Sequence, residues 1–291
     1  MSTRNENEAI DMTQYAFPVT GPVRVHAGTR SSDLTITAAD TAEATVRLKP
    51  HRENSTGRAY AEDTLVEFNG EVLNITVPRA GGLFFGSTPR LDIEVQVPPG
   101  SDLEVFSGSG DLTARGAVGS VQVRTGSGDV YLEQAGAVKV SSGSGDVVVD
   151  SLTDGGFKSG SGDLRLGRAS GHIEFNSGSG DLIIESATDV VSTTASGDTR
   201  IGELAGTARI RSASGDLEVR KATHGTINAS SASGDVTVAV PAGTPVFLDC
   251  SSTSGHTKST LAASRAPDSD EQVLTVEARS ISGDIHITNS R

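Results

Sequence analysis

The stretch Ser142-Gly143-Ser144-Gly145-Asp146 reads SGSGD, and the same five letters recur at 107–111, 159–163 and 177–181. Counted from the Asp of each Ser-Gly-Asp unit, Asp111, Asp129, Asp146, Asp163, Asp181, Asp198, Asp216 and Asp235 stand 17 to 19 residues apart. Self-similarity at that period marks a solenoid, in which one short supersecondary unit is stacked many times. With each Asp as position zero, positions +1 and +3 are apolar, as in Val147/Val149, Leu164/Leu166 and Leu182/Ile184. Positions −8 and −6 are apolar as well, as in Val121/Val123, Val138/Val140 and Ile173/Phe175, with Gly155 and Phe157 filling them in one rung. Each rung therefore carries two short strands of period two with one buried face. A further column of small apolar residues at +6 runs Ala117, Ala135, Leu152, Ala169, Ala187, Leu204, Ala222 and Pro241.

A single rung cannot bury its apolar face, but rungs stacked about 4.8 Å apart form a continuous core and satisfy the backbone through parallel ladders. The fold class that follows is all-β: a single-stranded parallel β-solenoid (β-helix) of about ten rungs, with an irregular β-rich N-terminal cap region. The five-letter word is then a corner. Glycine at −1 is expected to supply an unusual φ, Ser or Thr at −4 and −2 an internal hydroxyl ladder, and Asp a carboxylate held near the turn. This structural turn column comprises Asp111, Asp129, Asp146, Asp163, Asp181, Asp198, Asp216, Asp235 and, in a final rung, Asp284. The competing reading is a cation site, since calcium-binding β-rolls also stack Gly-Asp turns. Those rolls place the motif on both sides of each coil, whereas the opposite corner here reads LEQAGA or LGRASG.

Three segments of organisation follow. Residues 1–15 read as a disordered tail and residues 16–100 as a β-rich N-terminal part with inserted loops at 49–64 and 79–90. Residues 101–291 read as the regular solenoid, interrupted at 262–272. Within the second loop, Leu83, Phe84 and Phe85 lie between glycines and suggest a cap over the solenoid end or a partner contact. Near the C-terminus His256 takes the Asp place and Cys250 an inward −6 place, so Cys250 reads as a core thiol rather than a nucleophile. The rung with Ile285 and Ile287 comes last in the chain, which predicts an open β edge there and a homodimer through the C-terminal solenoid end.

Composition narrows the function. A formal net charge of −13 opposes nucleic acid and anionic membranes as partners. Neither a secretory signal nor a membrane-spanning apolar run is visible, so the expectation is a cytoplasmic protein without direct membrane insertion. The histidines fall at unrelated grid positions, and no nucleophile motif or phosphate loop is present, so no catalytic residue, cofactor site or metal site is assigned.

The succession VRVHAGTRSSDLTITAADTAEATVRL, VQVPPGSDLEVFSGSGDL, the SGD series and VAVPAGTPVFLDCSSTSGHTKSTL with TVEARSISGDIHI resembles the bacterial adhesin-like family of toastrack β-strand repeat proteins (domain of unknown function 4097) over roughly residues 17 to 289. That resemblance implies a non-enzymatic scaffold or protein-interaction module, with some relatives linked to the bacterial envelope-stress response. The alternatives it leaves open are a surface adhesin-like protein and a calcium-binding repeat protein acting through the Asp column. The protein partner is not named by any motif.

Overall fold

The computed structural model describes residues 13–52, 54–79, 89–261 and 273–290. Two parallel ladders run along the stack, one built from the strand segments that precede each Ser-Gly-Asp corner and one from those that follow it. In the leading ladder a single inward column runs, neighbour to neighbour, through Leu73, Val25, Leu103, Val121, Val138, Gly155, Ile173, Val190, Ala208, Ile227, Val276 and Leu248. In the trailing ladder the matching column runs Ile93, Leu34, Leu112, Val130, Val147, Leu164, Leu182, Thr199, Leu217, Val236, Ile285 and Thr257. The protein is thus an all-β solenoid, and the alternation read from the sequence is the alternation of burial.

Core volume is conserved locally rather than residue by residue. Gly155 leaves a gap in its column, and the ring of Phe157 together with Leu152 occupies the space that a side chain there would take. In the Asp198 rung the inward places hold Ser192 and Thr199, both fully buried, whose hydroxyls bond each other at 3.0 Å. A polar pair in a dry core is tolerable because each hydroxyl satisfies the other. At the +6 column the Asp111 rung departs from the expected grid. A register shift opposite Gln134 sets Val118 rather than Ala117 against Ala135, next to Gly116 with φ 79°.

Chain order and spatial order differ at both ends. The rung Leu274–Ser280 with Ile285–Asn289 lies between the rung ending in Val236–Val240 and the rung Val246–Ser252 with Thr257–Ser259. The expectation of an open edge at Ile285 and Ile287 is therefore corrected: both are buried and paired on two sides, and Val246–Ser259 forms the outer rung. At the other end Arg24–Arg30 and Asp33–Ala38 lie between the 102–118 rung and an outer rung of Val72–Thr76 and Leu91–Val97.

Antiparallel strands cover that N-terminal outer rung. Leu65–Phe68 pairs with Val72–Thr76, Glu43–Pro50 pairs with Leu91–Val97, and Thr13–Pro18 pairs with Glu43–Pro50. Residues 13–15, expected in a disordered tail, thus lie in a strand. The segment expected as an inserted loop at 49–64 contains the helix Ser55–Glu62, whose N-cap Asn54 accepts the Gly57 N–H at 2.8 Å. Tyr60 and Ala61 anchor it in the core, and the Tyr60 hydroxyl donates to the Pro78 carbonyl at 2.8 Å. One turn-rich polar segment thereby gains order from a cap and two buried side chains.

Candidate functional site: the aspartate column

The Ser-Gly-Asp corners form one continuous hydrogen-bonded ladder. The backbone N–H of Asp111 donates to Oδ1 of Asp33, and the same bond repeats upward through Asp129, Asp146, Asp163, Asp181, Asp198, Asp216, Asp235 and Asp284, each onto the carboxylate one rung below, at 2.7–3.0 Å. His256 closes the series by donating its N–H to Asp284 Oδ1 at 2.8 Å. In return each Asp carbonyl accepts the N–H at +1 of the rung below, as in Val147 N–H to Asp163 and Leu164 N–H to Asp181. The column is therefore an element of the backbone network. One oxygen of every carboxylate is committed to a donor that would otherwise face the corner unpaired.

Like charges stacked along such a ladder repel, and the structure offsets this in two ways. Each N–H dipole points at a carboxylate. Arginines at +2 also lean over the second oxygens: Arg165 reaches Asp163 at 3.2 Å and Asp146 at 3.9 Å, and Arg200 reaches Asp198 at 2.6 Å and Asp181 at 3.8 Å. At the top of the ladder His256 and His286 flank Asp284. The bond from the His256 N–H, with these imidazoles nearby, holds the Asp284 carboxyl below the usual carboxylate range.

The corner glycine has a different reason from the one expected. No Ser-Gly-Asp glycine has positive φ; among the described residues the left-handed glycines are Gly70, Gly100, Gly116, Gly206, Gly225 and Gly243. At −1 the requirement is close approach. A Cβ on Gly145 would fall on the carbonyl oxygen of Gly128, one on Gly162 on that of Gly145, and so on along the stack. The hydroxyl column is also narrower than expected. Ser142 at −4 accepts the Gly145 N–H at 2.9 Å and donates to the Gly145 carbonyl at 3.0 Å, whereas Ser144 at −2 is exposed.

The remaining candidates are dispersed. Cys250 lies on the inward face of the outer rung, half-buried, and burial pushes its thiol above its ordinary range, with the Asp249 charge adding to the effect. A protonated thiol there is a poor nucleophile. His172 bonds Asp189 at 2.8 Å on the surface and Thr223 meets its own neighbour His224 at 3.2 Å, but among the described residues no hydroxyl or thiol joins the first pair and no carboxylate joins the second. Among the described residues no group of three or more His, Cys, Asp or Glu stands together as a metal site. Leu83, Phe84 and Phe85 lie outside the described residues.

Two corner carboxylates with the same backbone-capping role were missed by the repeat grid. At the opposite corner Asp102 Oδ1 accepts the Ser120 N–H at 2.8 Å and Asp154 Oδ1 accepts the His172 N–H at 2.9 Å. Both sit against a glycine of the next rung, Gly119 and Gly171. That Asp-to-Gly pairing one period apart was the available signal.

Solved structures similar to this chain include a suspected lipid-binding protein from Parabacteroides distasonis, at 14% identity and TM-score 0.48, covering 95% of this chain and 96% of that one. A suspected adhesin from Parabacteroides merdae is similar at 11% identity and TM-score 0.45, with 95% of each chain covered. One from Bacteroides fragilis is similar at 10% identity and TM-score 0.41, covering 95% and 96%. No curated protein matches the chain. Residues 26–288 match the Toastrack DUF4097 family, and with nearly the whole solenoid inside that match the chain belongs to it.

Proposed function

We propose that the protein is a non-enzymatic solenoid scaffold that binds other proteins through its outer faces. The observation that carries this reading is the commitment of the Asp column. The most repeated chemical group in the chain is engaged by backbone N–H donors, so the repeated motif builds the frame, and individuality resides in the outward residues. Position +2, for example, runs Thr113, Tyr131, Val148, Arg165, Ile183, Arg200, Glu218 and Thr237. A rigid frame with a varied surface is how repeat proteins present binding faces. Capture on the full-length tagged protein from fractionated native cells tests it. The expected result is one or a few proteins retained in stoichiometric amount, with the fraction that yields them giving the compartment. Retention of none, or turnover of a small-molecule substrate by the purified chain, overturns the reading.

A second, compatible reading is self-association at the C-terminal solenoid end. Val246, Leu248 and Cys250 occupy inward places on the outer rung yet are only partly covered, and Phe247 beside them is 61% exposed.

A further inference from the structure

The outward face of the leading ladder holds a slot with an unusual charge arrangement. Its walls are Arg209 and Arg211 on one strand and Glu277 and Arg279 two rungs away, and its floor is Asn228 and Ser230 on the strand between. The register sets Arg211, Ser230 and Arg279 in one row and Arg209, Asn228 and Glu277 in the other. Long side chains flanking short ones make a cleft of about 180 Å³ that runs along the strand direction. Its walls are two ladder spacings, or about 9.5 Å, apart.

Arg279 already has a carboxylate partner, Asp249, at 2.9 Å on the side away from the slot. Arg209 and Arg211 have none: among the described residues neither forms an ion pair or a side-chain hydrogen bond. Their cross-strand neighbours are Val191 and Thr193 on one side and Asn228 and Ser230 on the other. Elsewhere on this acidic chain, Arg47, Arg165, Arg200 and Arg220 each reach a carboxylate. Two like-charged guanidiniums on one face of one strand repel, and the carboxylate that lines the slot, Glu277, stands two strands away from Arg209 without pairing to it.

Residues two apart on an extended strand project about 6.6 Å from one another, on the same face. Arg209 and Arg211 therefore match two carboxylates that are themselves two apart on an extended chain. Each guanidinium can take one carboxylate through a paired donor fork. The Asn228 amide and Ser230 hydroxyl on the floor supply donors and acceptors for the backbone between.

We propose that this slot binds an extended acidic peptide segment with Asp or Glu at alternate positions, held by Arg209 and Arg211 and flanked by Arg279. The proposal rests on the scaffold reading and names the chemistry of the partner. A net charge of −13 opposes general attraction of such a peptide to the chain, so saturable binding points to a local cationic site.

The probe is a fluorescently labelled peptide in which glutamates alternate with threonines, titrated by polarisation against the full-length protein at low ionic strength. Saturable binding is expected, weakened at least about tenfold by Arg209→Ala/Arg211→Ala. The control Lys139→Ala/Lys158→Ala removes two exposed cations from the same sheet face and is expected to leave binding unchanged. All four positions are exposed, so thermal melts should confirm intact folds. Absence of binding to wild type, or equal loss in the lysine variant, overturns the site. Displacement of the peptide by inorganic phosphate or a single-stranded oligonucleotide at concentrations below that of unlabelled peptide also overturns it, because the slot would then be a general oxyanion site. None of these readouts depends on a cellular lysate. A failed capture experiment with intact peptide binding would sink the scaffold reading alone, and the converse would sink the slot alone.

Discussion

An aspartate in this solenoid matters for its oxygen more than for its charge. Asp129 shows the separation cleanly, since its Oδ1 accepts the Asp146 N–H at 2.9 Å while its nearest ladder neighbours are Asp111 and Asp146, and among the described residues no arginine pairs with it. Asn at this position retains a carbonyl oxygen of the same reach and removes one charge from a like-charged row. Ala removes the acceptor and leaves an N–H to find water at a crowded corner. Asp129→Ala is expected to cost about 1–2 kcal/mol, and Asp129→Asn less than about 0.5 kcal/mol in either direction. Urea denaturation of both variants decides between charge and oxygen: equal losses would mean that the carboxylate acts electrostatically and the ladder geometry is incidental. The same corner explains why glycine persists at −1 while −3 drifts from Gly143 to Ala195, Ala213 and Ala232. A Cβ at −1 meets the carbonyl of the glycine directly beneath it, whereas at −3 a Cβ on Gly126, Gly143, Gly160 or Gly178 approaches the glycine carbonyl of the rung below less closely, so the tighter place keeps its glycine and the looser one admits alanine.

At the scale of a strand or a rung, the last-written rung is locked in by an earlier one. Leu274–Ser280 pairs on both sides, with 225–231 below and Val246–Ser252 above, whereas among the described residues Val246–Ser252 pairs on one side alone. Opening the inner rung breaks two ladders or carries the outer rung away with it; opening the outer rung breaks one. Native-state hydrogen exchange should therefore protect amides of 274–280 more strongly than those of 246–252, although the former lie nearer the chain terminus. Ile285→Ala/Ile287→Ala removes two fully buried side chains from the inner rung and should lower protection in both segments together, each substitution costing about 2–5 kcal/mol. Loss confined to 274–289 would contradict the interlock. This arrangement was not legible in the repeat grid, for a physical reason. Every rung presents the same apolar columns and the same corner, so periodicity fixes how rungs are built but not which rung neighbours which. The period, the inward columns and the structural use of Asp were readable because each depends on local alternation. The antiparallel cover, the helix Ser55–Glu62 and the slot at Arg209 depend on contacts between distant segments and left no periodic trace.

The two ends of the whole molecule differ, and that difference governs assembly. At the N-terminal end the outer rung has Leu65–Phe68 and Glu43–Pro50 laid antiparallel along it, with Thr13–Pro18 beyond, and Phe17 and Phe68 meeting at 5.4 Å. Among the described residues no parallel rung edge is presented there. At the C-terminal end Val246–Ser252 and Thr257–Ser259 have a ladder partner on one side only among the described residues. A concavity of about 510 Å³ opens beside them, lined by Val240, Pro241, Val246, Leu248 and Leu261 among others. A head-to-tail contact needs two complementary surfaces and would grow into a filament, but among the described residues only one end carries an open rung. An isologous contact uses the same surface twice and closes on itself. The expected assembly is accordingly a two-fold dimer joined at Val246–Ser259, in which the half-buried Val246, Leu248 and Cys250 become covered. Because Val246 and Leu248 are already partly exposed in a single chain, Val246→Lys/Leu248→Lys should shift the protein to monomer in light scattering while changing its melting temperature by only a few degrees. A wild-type protein that remains monomeric at high micromolar concentration contradicts the dimer. A variant that stays dimeric places the contact at another surface.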